Sequence, residues 1–151
     1  MSTLPELILR SISVETVRPV RQAVLRPGQP AEATVYPGDD APGAWHVGAY
    51  SDGDLLGIAS VYTEAPAGEI DPCAYRLRGM AVVPEARGRG CGRALVQACV
   101  RHVLAHGGNR LWCNGRVSAL GFYTALGFEP VGERFDLPFS GPHYRMVRRV
   151  P

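Results

Sequence analysis

The sequence predicts an α/β fold built on a mixed sheet. Three observations carry that expectation: β-rich runs recur along the whole chain, apolar residues at helical spacing interrupt them, and glycines stand where helices should stop. Leu7 to Ile12 opens as a strand. Ser13 is placed to cap a helix that starts near Thr16 and Val17 and runs to about Leu25, with Pro19 in its first turns. Arg26 to Gly43 is rich in proline, glycine and acid and reads as a long loop, a feature that is often functional in compact domains.

Ala44 to Tyr50 and Leu55 to Thr63 read as strands joined by Ser51-Asp52-Gly53-Asp54, in which Asp-Gly is a strong hairpin signal. After a second loop, Glu64 to Pro72, a longer strand runs from Ala74 to Val83 and stops at Pro84. Gly79 inside it points to a bulge or a close backbone approach. A helix follows Gly92 and runs to about Ala105: Leu95, Cys99 and Val103 fall four apart, and Val96, Val100 and Leu104 repeat the spacing one step around. Gly107-Gly108 ends it. Leu111 to Asn114 is a short strand and Val117 to Leu126 a helix closed by Gly127. Phe128 to Phe135 and His143 to Val150 are the last strands, separated by the turn at 137–142. No repeat or linker divides the chain, so residues 1–151 read as one domain.

Composition excludes several chemistries. A hydrophobic share of 46% with 20% charged residues suits a globular protein rather than a disordered one. All sixteen basic residues are arginine. Schiff-base chemistry and pyridoxal phosphate attachment, which need a lysine amine, and the Walker phosphate loop, which needs its own lysine, are therefore ruled out. Cys73, Cys91, Cys99 and Cys113 form no CxxC pair and no zinc-type spacing with the histidines, so they read as reduced thiols without a metal. No apolar run approaches the roughly 18 residues of a bilayer span. Met1 to Arg10 carries acid and proline before any apolar stretch, unlike a secretory signal. A cytoplasmic protein with no membrane partner is the expectation.

Charge is unevenly placed. Between Glu85 and Arg116 six arginines stand against one acid, an excess of +5 in a chain of net charge +2. That stretch looks built to meet an anion, while the overall charge is too small for nucleic acid to be the main partner. At its centre lies Arg87-Gly88-Arg89-Gly90-Cys91-Gly92, between a strand and an amphipathic helix. Bare backbone N–H groups and the positive end of a helix favour phosphate, and a pyrophosphate is the natural guest. The dinucleotide fingerprint fails: counted from Gly88 its third glycine falls on Arg93, and from Gly90 on Leu95. Cys91 invites another idea, a thiol whose pKa should fall at a helix N-terminus among arginines. No histidine lies near it in sequence to act as its base, and a packing or spacer role competes.

The turn resembles the signature of the GCN5-related N-acetyltransferases (GNAT), [RQ]-x-x-G-x-[GA], as Arg87-x-x-Gly90-x-Gly92. Met80-Ala81-Val82-Val83-Pro84 precedes it, where the family has a strand ending in an apolar-x-Val-x-Pro stretch. Downstream, Asn114 closes a strand, and Ala119 to Phe128 is similar to the family's A-x-x-F-Y-x-x-L-G-F. The match covers Tyr75 to Glu133; the first seventy residues agree only in the order of elements. Val83 departs from the pattern, since an acid often precedes the proline.

The resemblance implies a single-domain GNAT fold with a mixed, mostly antiparallel central sheet of about seven strands flanked by helices. It implies an N-acetyltransferase that takes acetyl-CoA as cosubstrate, needs no metal, and moves the acetyl group to a primary amine of a small molecule or peptide by direct attack on the thioester. A non-catalytic acyl-CoA-binding sensor on the same fold is the alternative. The backbone of Met80, Ala81 and Val82 would pair with the pantetheine arm, with the Val82 N–H aimed at the thioester oxygen. Arg87, Gly88, Arg89, Gly90, Cys91, Gly92 and Arg93 would hold the diphosphate, and Asn114 and Phe122 would line the cofactor side. Tyr123 would protonate the leaving thiolate, against a plain reading as a core aromatic. A base must first take a proton from the amine, and Glu64, then Tyr75 and His143, are the candidates.

In the family the acceptor is chosen by the first helix, the loop after it and the last strands. Glu32, Asp39, Asp40, Glu64, Glu69, Asp71 and Asp136 lie in those regions and favour a cationic acceptor. The turn Arg26-Pro27-Gly28-Gln29-Pro30 is either part of the acceptor pocket or a plain loop. Family members are often dimers, which leaves a homodimer open with no interface readable in the residues.

Overall fold

The computed structural model describes residues 6–138 and 140–151. Residues 1–5, which open the stretch read as lacking a secretory signal, and Phe139, within the stretch 137–142 that the sequence reads as a turn, lie outside the described residues. The strands are β1 (Ile8–Ser11), β2 (Trp45–Ser51), β3 (Asp54–Thr63), β4 (Ala74–Val82), β5 (Arg110–Arg116), β6 (Glu129–Leu137) and β7 (Gly141–Arg149). The α-helices are α1 (Val14–Val20), α2 (Cys91–Ala105) and α3 (Leu120–Ala125). Seven strands form one sheet in the order β1-β2-β3-β4-β5-β7-β6. β1–β2, β2–β3, β5–β7 and β6–β7 run antiparallel, and β4–β5 runs parallel, as a crossover through a helix requires. This is the mixed sheet the sequence predicts, with the mostly antiparallel arrangement the family resemblance implies. Element boundaries differ from the expectation at several places, among them these. β5 continues through Gly115 to Arg116, the loop after α1 holds a 3-10 turn at Ala31–Thr34, and another, Val117–Ala119, precedes α3.

The chain divides into two compact units: one takes the residues up to Tyr62 with Leu77–Arg101, the other Thr63–Arg76 with His102–Pro151. In the first unit, Ser13 caps α1 as expected, its Oγ accepting the Thr16 N–H at 3.3 Å. Pro19 has no N–H and crowds the carbonyl one turn back, so the helix widens just after it. Arg21–Leu25 forms a π turn, in which the Arg26 N–H donates to the Arg21 carbonyl at 3.0 Å. The β2–β3 hairpin turns through Asp52 and Gly53, both left-handed at φ 51° and 81°, which is the two-residue geometry that matches strand twist. Val14, Val17, Ile58 and Ala81 form the core here, with Ile12, Val20, Val24, Leu25 and Leu55 packed against them. α2 begins directly over β3 at Gly57. A Cβ there would lie 2.8 Å from Cys91 Sγ and 2.9 Å from a Leu95 methyl, so glycine is what lets the helix sit this close.

In the second unit, Ala74–Arg76 of β4 pair with Arg110–Trp112, and β5 pairs with β7 along its whole length. Tyr75, Val103, Leu111, Trp112, Cys113, Tyr123, Phe128, Met146 and Val150 are buried. β6 is an exposed edge. Its register breaks between Val131 and Phe135, where Gly132 takes φ 80°, and the irregularity together with Pro130 makes it a poor template for another strand. Among the described residues, no helix is long and apolar enough to cross a membrane, and no group of three or more His, Cys, Asp or Glu is placed to hold a metal ion. All four cysteines are free thiols.

Candidate functional site

The glycine turn is in the first unit, between β4 and α2. β4 is distorted at Gly79, which takes φ 66° where a side chain would be strained. A Cβ at Gly79 would stand 3.1 Å from the Tyr36 ring and 3.2 Å from Arg21 Nε, so the expected close approach is present. Beyond Val82 the chain makes a 3-10 turn at Pro84–Ala86. Two of the turn's arginines fold back onto it: Arg87 Nε donates to the Val82 carbonyl at 3.2 Å, and Arg89 to the Glu85 carbonyl at 3.4 Å. Met80–Val82 and the glycine turn are thereby held together.

Gly88 and Gly90 take φ 72° and 87°, and a Cβ built at either meets nothing within 4 Å. The backbone of the turn therefore faces open space rather than protein. The Ala94 N–H donates to the Gly90 carbonyl at 3.0 Å, so the amides of Cys91, Gly92 and Arg93 come before that first turn of the helical ladder. No acid lies in the first turn of α2. Open amides, the positive helix end and Arg87, Arg89 and Arg93 make a cradle that fits a diphosphate. Cys91 has only its backbone to offer there. Its side chain is 1% exposed, turned into the gap at Gly57, and burial pushes its thiol pKa up. The idea of an activated Cys91 thiolate is thus corrected: the desolvation of the thiol outweighs the helix end.

The first unit also holds a buried ionic cluster that the sequence did not reveal. Arg21, with no exposed surface, donates to both Asp39 oxygens at 2.7 and 3.0 Å, to Ser60 Oγ at 3.0 Å, to Tyr62 Oη at 3.1 Å and to the Thr34 carbonyl at 2.8 Å. Asp39 also accepts the Tyr62 hydroxyl at 2.6 Å and the Tyr36 N–H at 2.9 Å. His46 closes the cluster through Ser60 Oγ at 2.6 Å and the Asp39 carbonyl at 3.1 Å. Burial alone would raise the Asp39 pKa, but the hydrogen bonds from Arg21, Tyr62 and the Tyr36 amide hold it down to about 2. Burial, aided by the Asp39 charge, pushes Tyr62 up to about 12.

Asn114, Phe122, Tyr123, Glu64, Tyr75 and His143 belong to the second unit. Asn114 is half-buried in β5, opposite Arg145 of β7. Tyr123 is 9% exposed; its ring meets Phe122 and Phe128 edge-on at centroid distances of 5.1 and 5.4 Å and rests on Gly115, where a Cβ would come within 3.2 Å. A hydrogen bond from Tyr123 tempers the Cys113 thiol, which burial nonetheless pushes up to about 12. Of the three candidate bases, Tyr75 packs into the core with its ring edge-on to His102 and pressed close to Gly108. Glu64 pairs with Arg76 at 3.0 Å, while its carbonyl accepts the Trp112 indole N–H at 2.8 Å. His143 is 4% exposed and stacked on Phe135, with Nδ1 at 2.7 Å from the Gly141 carbonyl. A carbonyl only accepts, so Nδ1 carries the proton and Nε2 holds the lone pair of the neutral ring.

The acids that favoured a cationic acceptor are largely engaged elsewhere. Asp39 is paired with Arg21, Glu64 with Arg76, and Glu69 and Asp71 with Arg110. Each of these charges is spent locally.

The pattern of the Acetyltransferase (GNAT) family matches residues 15–128. The chain is 36% identical over 144 residues to the uncharacterized N-acetyltransferase YitI of Bacillus subtilis (strain 168), covering 95% of this chain and 97% of that protein. It is 34% identical over 136 residues to the mycothiol acetyltransferase of Nocardia farcinica (strain IFM 10152), covering 87% of this chain but 38% of that protein. In fold it is similar to the crystal structure of Escherichia coli ElaA, with a TM-score of 0.78, 16% identity, and coverage of 95% of this chain and 99% of that one. The glycine turn, the sheet order and these matches agree: the chain belongs to the Acetyltransferase (GNAT) family and is an acyltransferase.

Proposed function

We propose that the chain, acting over residues 1–151 as one acetyltransferase domain, transfers an acetyl group from acetyl-CoA to a primary amine of a small molecule or peptide. The observation that carries this reading is the glycine turn, whose left-handed Gly88 and Gly90 open the backbone to solvent ahead of the α2 amides. Arg87, Gly88, Arg89, Gly90, Cys91, Gly92 and Arg93 hold the diphosphate. The Met80, Ala81 and Val82 backbone, which lies beyond the three residues of β4 in register with β5, binds the pantetheine arm. The Val82 N–H stabilises negative charge on the thioester oxygen, a contribution typically worth about 3 kcal/mol of barrier. Asn114 and Phe122 line the cofactor.

The acceptor enters as an ammonium and first loses one proton, since alkylammonium pKa values lie near 10. Its nitrogen then bonds to the acetyl carbon, the carbon–sulfur bond breaks, and the sulfur leaves as thiolate. Tyr123 supplies a proton to that sulfur and is restored by the second proton released from nitrogen, so one proton in total goes to solvent. His143 is the favoured base, because the bond to Gly141 leaves Nε2 as the basic nitrogen, whereas the Glu64 carboxylate is engaged with Arg76. The free thiols accord with a cytoplasmic location.

Calorimetry with coenzyme A, followed by a mass-shift screen of amines with acetyl-CoA, tests this reading. Binding and transfer support it. Binding without transfer favours the non-catalytic sensor, and no binding removes both. For the acid, Tyr123→Phe is expected to lower kcat at pH 7 by about tenfold to hundredfold with little change in the acetyl-CoA KM. An unchanged kcat would mean that another group protonates the sulfur.

A further inference from the structure

Gly79 is the one residue of β4 whose backbone is left-handed, at φ 66°. Glycine visits positive and negative φ about equally, so its presence permits this geometry without holding it. Two side chains are placed to hold it. A Cβ at Gly79 would stand 3.1 Å from the Tyr36 ring and 3.2 Å from Arg21 Nε, so the bare α-carbon packs against both. Arg21 and Arg78 both lay their guanidinium groups on that ring, with Cζ 4.0 and 4.4 Å from its centre.

We propose that Arg21 and Tyr36 are positioning residues for the pantetheine arm: they lock Gly79 in its left-handed conformation and so fix the course of the Met80–Val82 backbone. The proposal rests on the acetyl-transfer reading and adds to it the device that shapes the cofactor groove. The lock is itself rigid. Arg21 has no exposed surface, and its terminal nitrogens are tied to Asp39, Ser60, Tyr62 and the Thr34 carbonyl. Tyr36 is 6% exposed and donates its backbone N–H to the same Asp39 carboxylate. Arg21 Nε, by contrast, is buried without a hydrogen-bond partner among the described residues. An unpaired buried donor is unfavourable. Its position shows what the placement serves, since that edge of the side chain is given to contact with Gly79.

The far end of the segment is fixed as well. The Val83 N–H donates to the Leu56 carbonyl at 2.9 Å, and Arg87 Nε to the Val82 carbonyl at 3.2 Å. Met80–Val82 is thus strung between two anchors, in the part of β4 beyond the three residues in register with β5. A backbone whose course is preset loses less freedom when a ligand pairs with it, and that saving appears as affinity for the arm.

The test separates the arm from the rest of the cofactor, by titration calorimetry with coenzyme A and with 3′-phospho-ADP, its nucleotide without pantetheine. The native chain is expected to bind coenzyme A at least about tenfold more tightly. Arg21→Lys keeps a charge opposite Asp39 but loses the flat group against Gly79, and Tyr36→Leu keeps apolar bulk but loses the ring. Each should bring the ratio of the two affinities towards one, while the nucleotide alone binds within about threefold of its native affinity. A merely structural role would not move the ratio, because an unfolded fraction changes the stoichiometry for both ligands alike. The native chain offers a second readout: if the lock steadies the pantetheine site, pantetheine must steady the lock. Hydrogen exchange at the Tyr36 amide should be slower with coenzyme A than with 3′-phospho-ADP, each at the same multiple of its dissociation constant. A smaller native ratio, a ratio that survives either substitution, both affinities falling together, or equal exchange with the two ligands overturns the proposal. The acetyl-transfer reading falls separately, only if coenzyme A does not bind the native chain.

Discussion

Gly90→Glu is expected to abolish coenzyme A binding in a protein that still folds. Gly90 takes φ 87°, and a Cβ there meets nothing within 4 Å, so a side chain starts into open space. The left-handed backbone costs on the order of 1–2 kcal/mol, which a domain of ordinary stability, roughly 5–15 kcal/mol, survives. The carboxylate, however, occupies the space in front of the α2 amides and repels a diphosphate. A loss of at least about a hundredfold, roughly 3 kcal/mol, should follow. Titration calorimetry with coenzyme A reads the loss, and circular dichroism checks the fold. Gly90→Ala carries the backbone strain without the charge and should retain much of the affinity. If the glutamate variant keeps its affinity within tenfold, the turn is not the diphosphate site.

Asp39→Asn is expected to cost about 3–5 kcal/mol of stability, because it leaves the Arg21 guanidinium in the core without a counter-charge. Arg21 has no exposed surface and its ion pair with Asp39 measures 2.7 Å, so solvent cannot take over the lost role. A urea midpoint shift measures the loss, and a change under 1 kcal/mol would contradict the account. The same pair sets an acid limit. The folded pKa of Asp39 is about 2 against an ordinary 3.8, so its contribution is complete above the unfolded value and drains away as pH falls from about 4 towards 2. Relative to Asp39→Asn, the native chain should lose stability through that window and not above it.

The parts that were legible in the sequence are those in which a residue type reports a backbone requirement. Asp52-Gly53, Gly79, Gly88, Gly90 and Gly127 all adopt the left-handed conformations that their placement suggested. Ser13 caps as its position implies, and the apolar spacing of α2 locates that helix within two residues. Long-range pairing left no such trace. Arg21 and Asp39 lie 18 positions apart, and Arg21 and Tyr62 lie 41 apart; nothing local to either residue announces the partner. Asp39 sits among prolines, glycines and another acid, where it reads as a solubilising loop charge. Cys91 misled for a related reason: its place at a helix start is visible in the sequence, but the Gly57 gap that swallows its side chain is 34 residues away. Acids counted singly suggested a negative surface, whereas the folded chain pairs them with arginines.

The π turn after α1 marks a place where the chain tolerates the loss of a residue. Its ring closes over five positions, one more than an ordinary helical turn. Excising one residue between Arg21 and Arg26 would let the segment rewind as α-helix, with the Arg26 N–H meeting the same carbonyl from four positions away, so later side chains would keep nearly their present angle about the axis. A one-codon shortening confined to this stretch therefore leaves the direction in which the chain enters the following loop almost unchanged.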